Sequence, residues 1–273
     1  MRYADCKVIS VTDSRKSLFL FPGIMGSMNG YGNLIAALTG QCNIYGITYP
    51  SSQSLENVSL LQSIGTRSAQ QIMACRPQGP NYLLGWSMGG LVAYECAVAL
   101  QAAGFAAEAV ILIDASPGMV DLAPPPNPAS GDAELRAFMW AQFLEMKIGR
   151  IPAQEIIATT DFLHLPEEDR FTWIRENEKK WTTDLSAQFD MHDTFRFMSA
   201  AHLAIERYVP SAYPGEFHAI YSAEYADTVP PNWHRATSPQ CRLQGVKGDH
   251  LTAILHFAVA PTVAIVSGPV DGG

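Results

Sequence analysis

The sequence predicts an α/β fold in which a mainly parallel central sheet is flanked by helices and carries an inserted helical lid. Three observations lead there. Short β-rich runs alternate with helical segments as far as Asp114, the pattern of successive βαβ units. Gly85-Trp86-Ser87-Met88-Gly89 joins the apolar run Tyr82-Leu83-Leu84 to the apolar segment Leu91–Ala102, which reads as strand, sharp turn and helix. The cluster Ala123-Pro124-Pro125-Pro126-Asn127-Pro128 then ends the alternation, because such a run fits neither helix nor central strand.

Taken in order, Ser17–Phe21 and Asn43–Thr48 read as strands, with Tyr31–Leu38 as the helix between them. Leu55–Arg76 is helical, stops before Pro77 and Pro80, and feeds the strand that ends at the serine turn. The helix after Ser87 stops at Gly104, a C-cap, and Ala109–Ile113 is a fully apolar buried strand with Asp114 at its carboxyl end. From Ala133 to about Val209 the pattern is helical: Leu135, Phe138, Met139, Phe143 and Met146 recur at three- and four-residue spacings, and Phe195–Tyr208 is a second good helix. Glu216–Tyr221 and Gln240–Val246 resume strand character, and Gly248-Asp249-His250 follows. A single domain is expected, with residues 1–118 and 210–273 as the sheet core and 119–209 as the lid, placed to cover the serine.

Composition excludes several classes of function. The 273 residues are nearly half apolar, ample for a buried core, and 26 acidic against 18 basic side chains give a net charge of −8. No basic run or basic-aromatic interleaving occurs, so neither nucleic acid nor an anionic membrane is an expected partner. The 5 cysteines are scattered without a C-x-x-C pair, which fits reduced thiols in a cytoplasmic protein and suggests neither disulfides nor a metal. Residues 1–10 contain charges and no apolar h-region, and the apolar stretch Ala253–Ser267 is short and broken by His256 and Pro261, so it reads as a buried terminal helix.

A serine hydroxyl needs a base to become a nucleophile, and the base needs a carboxylate to fix its tautomer. Ser87 is the candidate nucleophile, with glycines on either side that let strand and helix approach. Among 7 histidines, His250 alone combines a late position, a preceding strand and a short polar turn, in the chain order Ser, acid, His of α/β-hydrolases. Two aspartates end strands suitably: Asp114, the first choice as acid, and Asp227, the alternative. Asp249 reads as turn chemistry. A developing oxyanion needs two backbone N–H donors, one from Met88 and one from the Phe21-Pro22-Gly23-Ile24-Met25-Gly26 loop, with Ile24 the candidate. In the lid, Phe138, Trp140, Phe143, Phe195 and Met198 are candidates to line an acyl chamber, although at least half should simply pack the lid.

These residues resemble the thioesterase domains that end nonribosomal peptide and polyketide assembly lines, a branch of the α/β-hydrolase fold. The resemblance rests on Phe21-Pro22-Gly23, Gly85-Trp86-Ser87-Met88-Gly89-Gly90 with Leu91-Val92-Ala93-Tyr94-Glu95, Leu112-Ile113-Asp114, Tyr213-Pro214-Gly215 and Gly248-Asp249-His250. It implies a chain delivered as a thioester on the phosphopantetheine arm of an acyl or peptidyl carrier protein, taken by Ser87, and released by hydrolysis or cyclisation without a cofactor. A carrier would be attracted by basic lid residues such as Lys147, Arg150, Lys179 or Lys180, or by apolar contact; otherwise those charges read as solvated helix faces. An acid at Asp114 resembles chain-releasing members, and one at Asp227 the stand-alone editing (type II) members. A serine esterase or acyl-CoA hydrolase, and a catalytically silent acyl- or protein-binding form, are the other readings of the same fold.

Overall fold

The computed structural model describes residues 6–49, 60–75, 79–118, 150–177, 191–236 and 241–268, together with 137, 139–141, 143 and 144. They fall into two compact units, one drawn from Met1–Pro50, Ser54–Met119 and Ala201–Gly273, the other from Ser51–Gln53 and Val120–Ala200.

The first unit is built on a seven-stranded sheet. Its elements are β1 (Lys7–Ser10), β2 (Ser17–Phe21), α1 (Gly32–Leu38), β3 (Asn43–Gly46), α2 (Leu60–Cys75), β4 (Asn81–Trp86), α3 (Met88–Ala102) and β5 (Ala109–Ile113). The second unit supplies α4 (Arg150–Thr159), α5 (Glu167–Asn177) and the first part of α6 (Met191–Glu206). β6 (Phe217–Ser222), α7 (Val229–Ala236), β7 (Cys241–Val246) and α8 (Val259–Ser267) complete the first. The spatial order is β1-β3-β2-β4-β5-β6-β7, with β1 antiparallel to β3 and every other pair parallel. This is the expected mainly parallel α/β sheet.

β2, β4 and β5 are apolar without alternation because both faces are covered. Leu18, Leu20, Leu84, Ile111 and Ile113 pack with Leu34 and Leu38 of α1 and with Ile254, Ala258 and Val266 near the C-terminus. Alternation turns Phe19, Phe21, Leu83, Val110 and Leu112, all fully buried, to the opposite face. Each such side chain contributes about 1.5–3 kcal/mol on burial. α3 is closed, as expected, by Gly104 just beyond its end, whose φ of 81° allows the Phe105 N–H to reach the Leu100 carbonyl at 2.9 Å and its own N–H to reach Gln101 at 3.0 Å, a Schellman closure.

Four details differ from expectation. The strand expected over Asn43–Thr48 ends at Gly46. β1 is an additional edge strand, too short and too exposed to show a period. α7 was hidden by Pro230 and Pro231, which occupy its first turn, where a missing N–H forfeits no intrahelical bond. The terminal apolar stretch is not one helix: a π-helical turn, Ala253–Phe257, is closed by Ala258 N–H on the Ala253 carbonyl at 2.8 Å, and His250–Phe257 meets α8 at a bend of 49°. Among the described residues no single helix is long and apolar enough to cross a membrane.

Candidate active site

Ser87, Asp114 and His250 follow the carboxyl ends of β4, β5 and β7, the edge at which parallel sheets generally place their sites. β4 runs into Ser87, whose φ of 56° is a backbone position side chains rarely adopt. Its N–H donates to the Ile113 carbonyl at 2.9 Å, and α3 starts at the next residue. The turn needs both flanking glycines: a Cβ on Gly85 would lie 2.1 Å from the Gly89 carbonyl oxygen, and one on Gly89 would lie 2.3 Å from that of Phe21.

Asp114 follows β5 with a φ of 43° and is fully buried. Its N–H donates to the Ile220 carbonyl at 2.8 Å, and its Oδ1 accepts the Ser222 N–H at 2.6 Å, which fixes the carboxylate against β6. Oδ2 is left facing His250 Nδ1 at 3.4 Å. Both atoms are buried and make no hydrogen bond within normal limits, a long contact of the kind that tightens in a substrate complex. Asp227 is exposed in the turn beyond Tyr225 and forms no ion pair with a histidine among the described residues.

The His250 backbone is held at both ends. Its N–H donates to Glu224 Oε2 at 2.8 Å, and its carbonyl accepts the Trp86 indole N–H at 3.1 Å. The imidazole faces the Trp86 ring, with centroids 4.8 Å apart, and meets Tyr225 edge-on at 5.3 Å. Trp86, the residue before the serine, thus connects His250 to the serine turn. Asp249 turns away as an N-cap, accepting from Thr252 N–H and its hydroxyl at 2.8 Å each, and these bonds hold its carboxyl below the usual range.

Met88 is the first residue of α3, where a helix offers its N–H no partner of its own. Ile24 lies inside the turn closed by Gly26 N–H on the Gly23 carbonyl at 2.9 Å, and the Tyr49 hydroxyl anchors that loop through the Pro22 carbonyl at 2.6 Å. Both candidate donors therefore belong to constrained turns.

Residues 16–264 match the thioesterase domain family. The chain belongs to that family. Among curated proteins it is similar to a non-reducing polyketide synthase of Gibberella zeae, 37% identical over 119 residues, and to polyketide synthase 1 of Metarhizium acridum, 35% identical over 108. The matches take in 41% and 39% of this chain but 6% and 5% of those proteins, so the thioesterase chain spans a small part of the relatives' length. Among solved structures it resembles a four-domain nonribosomal peptide synthetase, with a TM-score of 0.72 and 20% identity over 96% of this chain and 20% of that one. It also resembles the NocB thioesterase domain in covalent complex with a fluorophosphonate nocardicin G analogue, with a TM-score of 0.59 and 19% identity over 93% and 95% of the two chains. At such identities the structural likeness is one of fold, the α/β-hydrolase fold of synthetase and synthase thioesterases.

In this thioesterase the second unit has an aromatic interior. Trp140 stacks on Phe195 with centroids 4.0 Å apart, and Phe171 and Phe143 close around them edge-on. Met198 is also buried. The four described candidates for an acyl chamber are thus buried within that unit, and Phe138 lies outside the described residues. So do Lys147, Lys179, Lys180 and the side chain of Arg150. Glu224, Trp86 and Tyr225, which contact His250, were not among the sequence candidates; the one available signal was the position of Trp86 beside Ser87.

Proposed function

We propose that this thioesterase is a serine enzyme that takes an acyl, peptidyl or polyketide chain from the phosphopantetheine thiol of a carrier protein and releases it by hydrolysis or cyclisation. The observation that carries the reading is the buried Asp114 carboxylate facing His250 Nδ1 at 3.4 Å, with the imidazole packed on the residue before Ser87. In the proposed reaction His250 Nε2 takes the Ser87 hydroxyl proton while Oγ adds to the thioester carbonyl carbon. Asp114 keeps the Nδ1 proton in place and stabilises the imidazolium. Ile24 and Met88 N–H groups receive the oxyanion. The C–S bond then breaks, the thiol leaves with the proton from His250, and the acyl group stays as an ester on Ser87. Water, or a hydroxyl or amine of the chain itself, adds next, and the serine is regenerated. No cofactor enters any step. The likeness to parts of multidomain synthases supports a carrier as the acyl donor.

The test loads a carrier protein, or pantetheine alone, with a panel of acyl groups and follows thiol release and product mass with the parent enzyme and Ser87→Ala. Release that depends on Ser87 is expected. A product heavier by water marks hydrolysis, and a dehydrated ring mass marks cyclisation. Cleavage of simple esters without turnover of any thioester would replace this reading with that of an esterase.

A further inference from the structure

One fully buried hydroxyl beside the site has no part in the reaction so far. Tyr31 ends a short 3-10 turn, Asn29–Tyr31, ahead of α1, and its side chain enters the core beneath the sheet ends. The hydroxyl accepts a hydrogen bond from the Trp86 N–H at 2.8 Å and donates one to the Phe21 carbonyl at 2.6 Å. A phenol suits both roles at once. β2 and β4 run parallel with Phe21 opposite Gly85, so this tie falls at the last rung of their ladder. Ser17 N–H on the Pro80 carbonyl shows that the odd residues of β2 face β4, so the Tyr31 hydroxyl stands where Trp86 N–H would otherwise bond the Phe21 carbonyl directly. Beyond the rung each chain turns into its own loop. Ser87 and Met88 follow Trp86 on one side, and Gly23 and Ile24 follow Pro22 on the other.

We infer that Tyr31 is a positioning residue for the oxyanion hole, its hydroxyl fixing the spacing between the loop that carries the Ile24 N–H and the turn that carries the Met88 N–H. It acts through these two backbones and does not touch substrate. The inference rests on the reading of Ser87 as nucleophile. Donors to an oxyanion act within a few tenths of an ångström, and a displacement near 1 Å costs about 100-fold in rate. Burial raises the phenol far above its ordinary range, so the hydroxyl stays neutral and its contribution does not vary with pH.

Tyr31→Phe keeps the ring and removes both bonds. The expected result on a pantetheine thioester is a kcat lower by roughly 10- to 100-fold, KM within about twofold, and an unchanged shape of the pH profile. A trifluoromethyl ketone, which forms a tetrahedral oxyanion on a serine, should bind more weakly by the same factor as kcat. A folded Tyr31→Phe with the parent's kcat and ketone affinity would overturn the inference and leave Tyr31 as a packing residue. Ser87→Ala, assayed alongside, separates the two ideas. If it still turns over the thioester, the serine reading falls and the Tyr31 role falls with it; if it is inactive while Tyr31→Phe is fully active, only the Tyr31 role falls. Should Tyr31→Phe not fold, difluorotyrosine at position 31 keeps the hydroxyl and weakens its oxygen as an acceptor. A lower kcat at an unchanged melting temperature then supports the tie, and an unchanged kcat overturns it.

Discussion

Among the described residues only two that are not glycine have positive φ, Ser87 and Asp114, and they follow adjacent strands whose last residues, Trp86 and Ile113, are paired. Each conformation costs on the order of 1–3 kcal/mol and persists because the surrounding backbone dictates it. Asp114→Asn tests what that expenditure serves. Asn tolerates positive φ and can keep the bond from Ser222 N–H, so the fold should hold, while the lost charge lets His250 settle in the wrong tautomer. We expect kcat to fall by about 1,000- to 10,000-fold with KM little changed, and Asp227→Asn to stay within about twofold, both in a steady-state thioester assay. A larger loss in Asp227→Asn would reverse the choice of acid. Ser87 and His250 stood out as candidates in the sequence because each is signalled locally, by a glycine-flanked turn and by a Gly-Asp-His end to a strand. The acid did not, since two aspartates follow strand ends, the strand order sets β6 beside β7, and only the folded contact of Asp114 Oδ2 with His250 Nδ1 favours one of them. Glu224 and Tyr31 were beyond reach, their bonds spanning 26 and 55 residues of chain.

At the scale of elements, α3 couples the serine turn to the chain that follows α6. Its single charged residue, Glu95, is 3% exposed on an otherwise apolar helix, where an unpaired carboxylate would be costly. Tyr208 hydroxyl at 2.7 Å, Ser211 N–H at 2.9 Å and Ser211 hydroxyl at 2.7 Å all donate to it. Tyr94 adds a fourth link by donating to the Ser211 carbonyl at 3.0 Å. Glu95→Ala should lower stability by about 2–3 kcal/mol, read as a shift in urea midpoint, because one buried donor and two part-buried ones lose their acceptor. Glu95→Gln should cost about 1 kcal/mol, since the amide oxygen still accepts and the Ser211 hydroxyl can rotate to receive its N–H. Equal losses would mean that the charge, and not the bonds, holds the segment. The sequence showed that Glu95 lies in this helix, but its apolar neighbours gave no sign of the donors that reach it from 113 and 116 residues away. The strands read well for a different reason: burial on both faces leaves little but apolar residues in β2, β4 and β5, whereas β1 and the bent terminal helix are shaped by contacts and by an irregular turn.

For the molecule as a whole, two of the groups with resolved shifts, His218 and Asp249, make stability fall on the acid side in two separate windows. His218 on β6 is partly buried, and desolvation, followed by the nearby Arg242 charge, lowers its pKa from 6.5, with Glu216 opposing the shift. The native protein therefore holds this imidazole neutral at a pH where the unfolded chain already binds a proton. More protons on the unfolded chain mean that stability rises with pH, so this contribution is complete above 6.5 and is lost as pH falls from there through the folded value. Asp249 acts with the same sign further down, because its cap bonds depress its pKa below 3.8; its contribution is present above 3.8 and disappears as pH falls through the depressed value. Urea midpoints measured from pH 7.5 downward should accordingly drop in two steps. His218→Gln should flatten the upper step and leave the lower one, and Asp249→Asn should do the reverse, since Asn keeps an oxygen for the Thr252 N–H but has no charge to lose. If His218→Gln followed the parent curve throughout, the upper step would belong to another histidine.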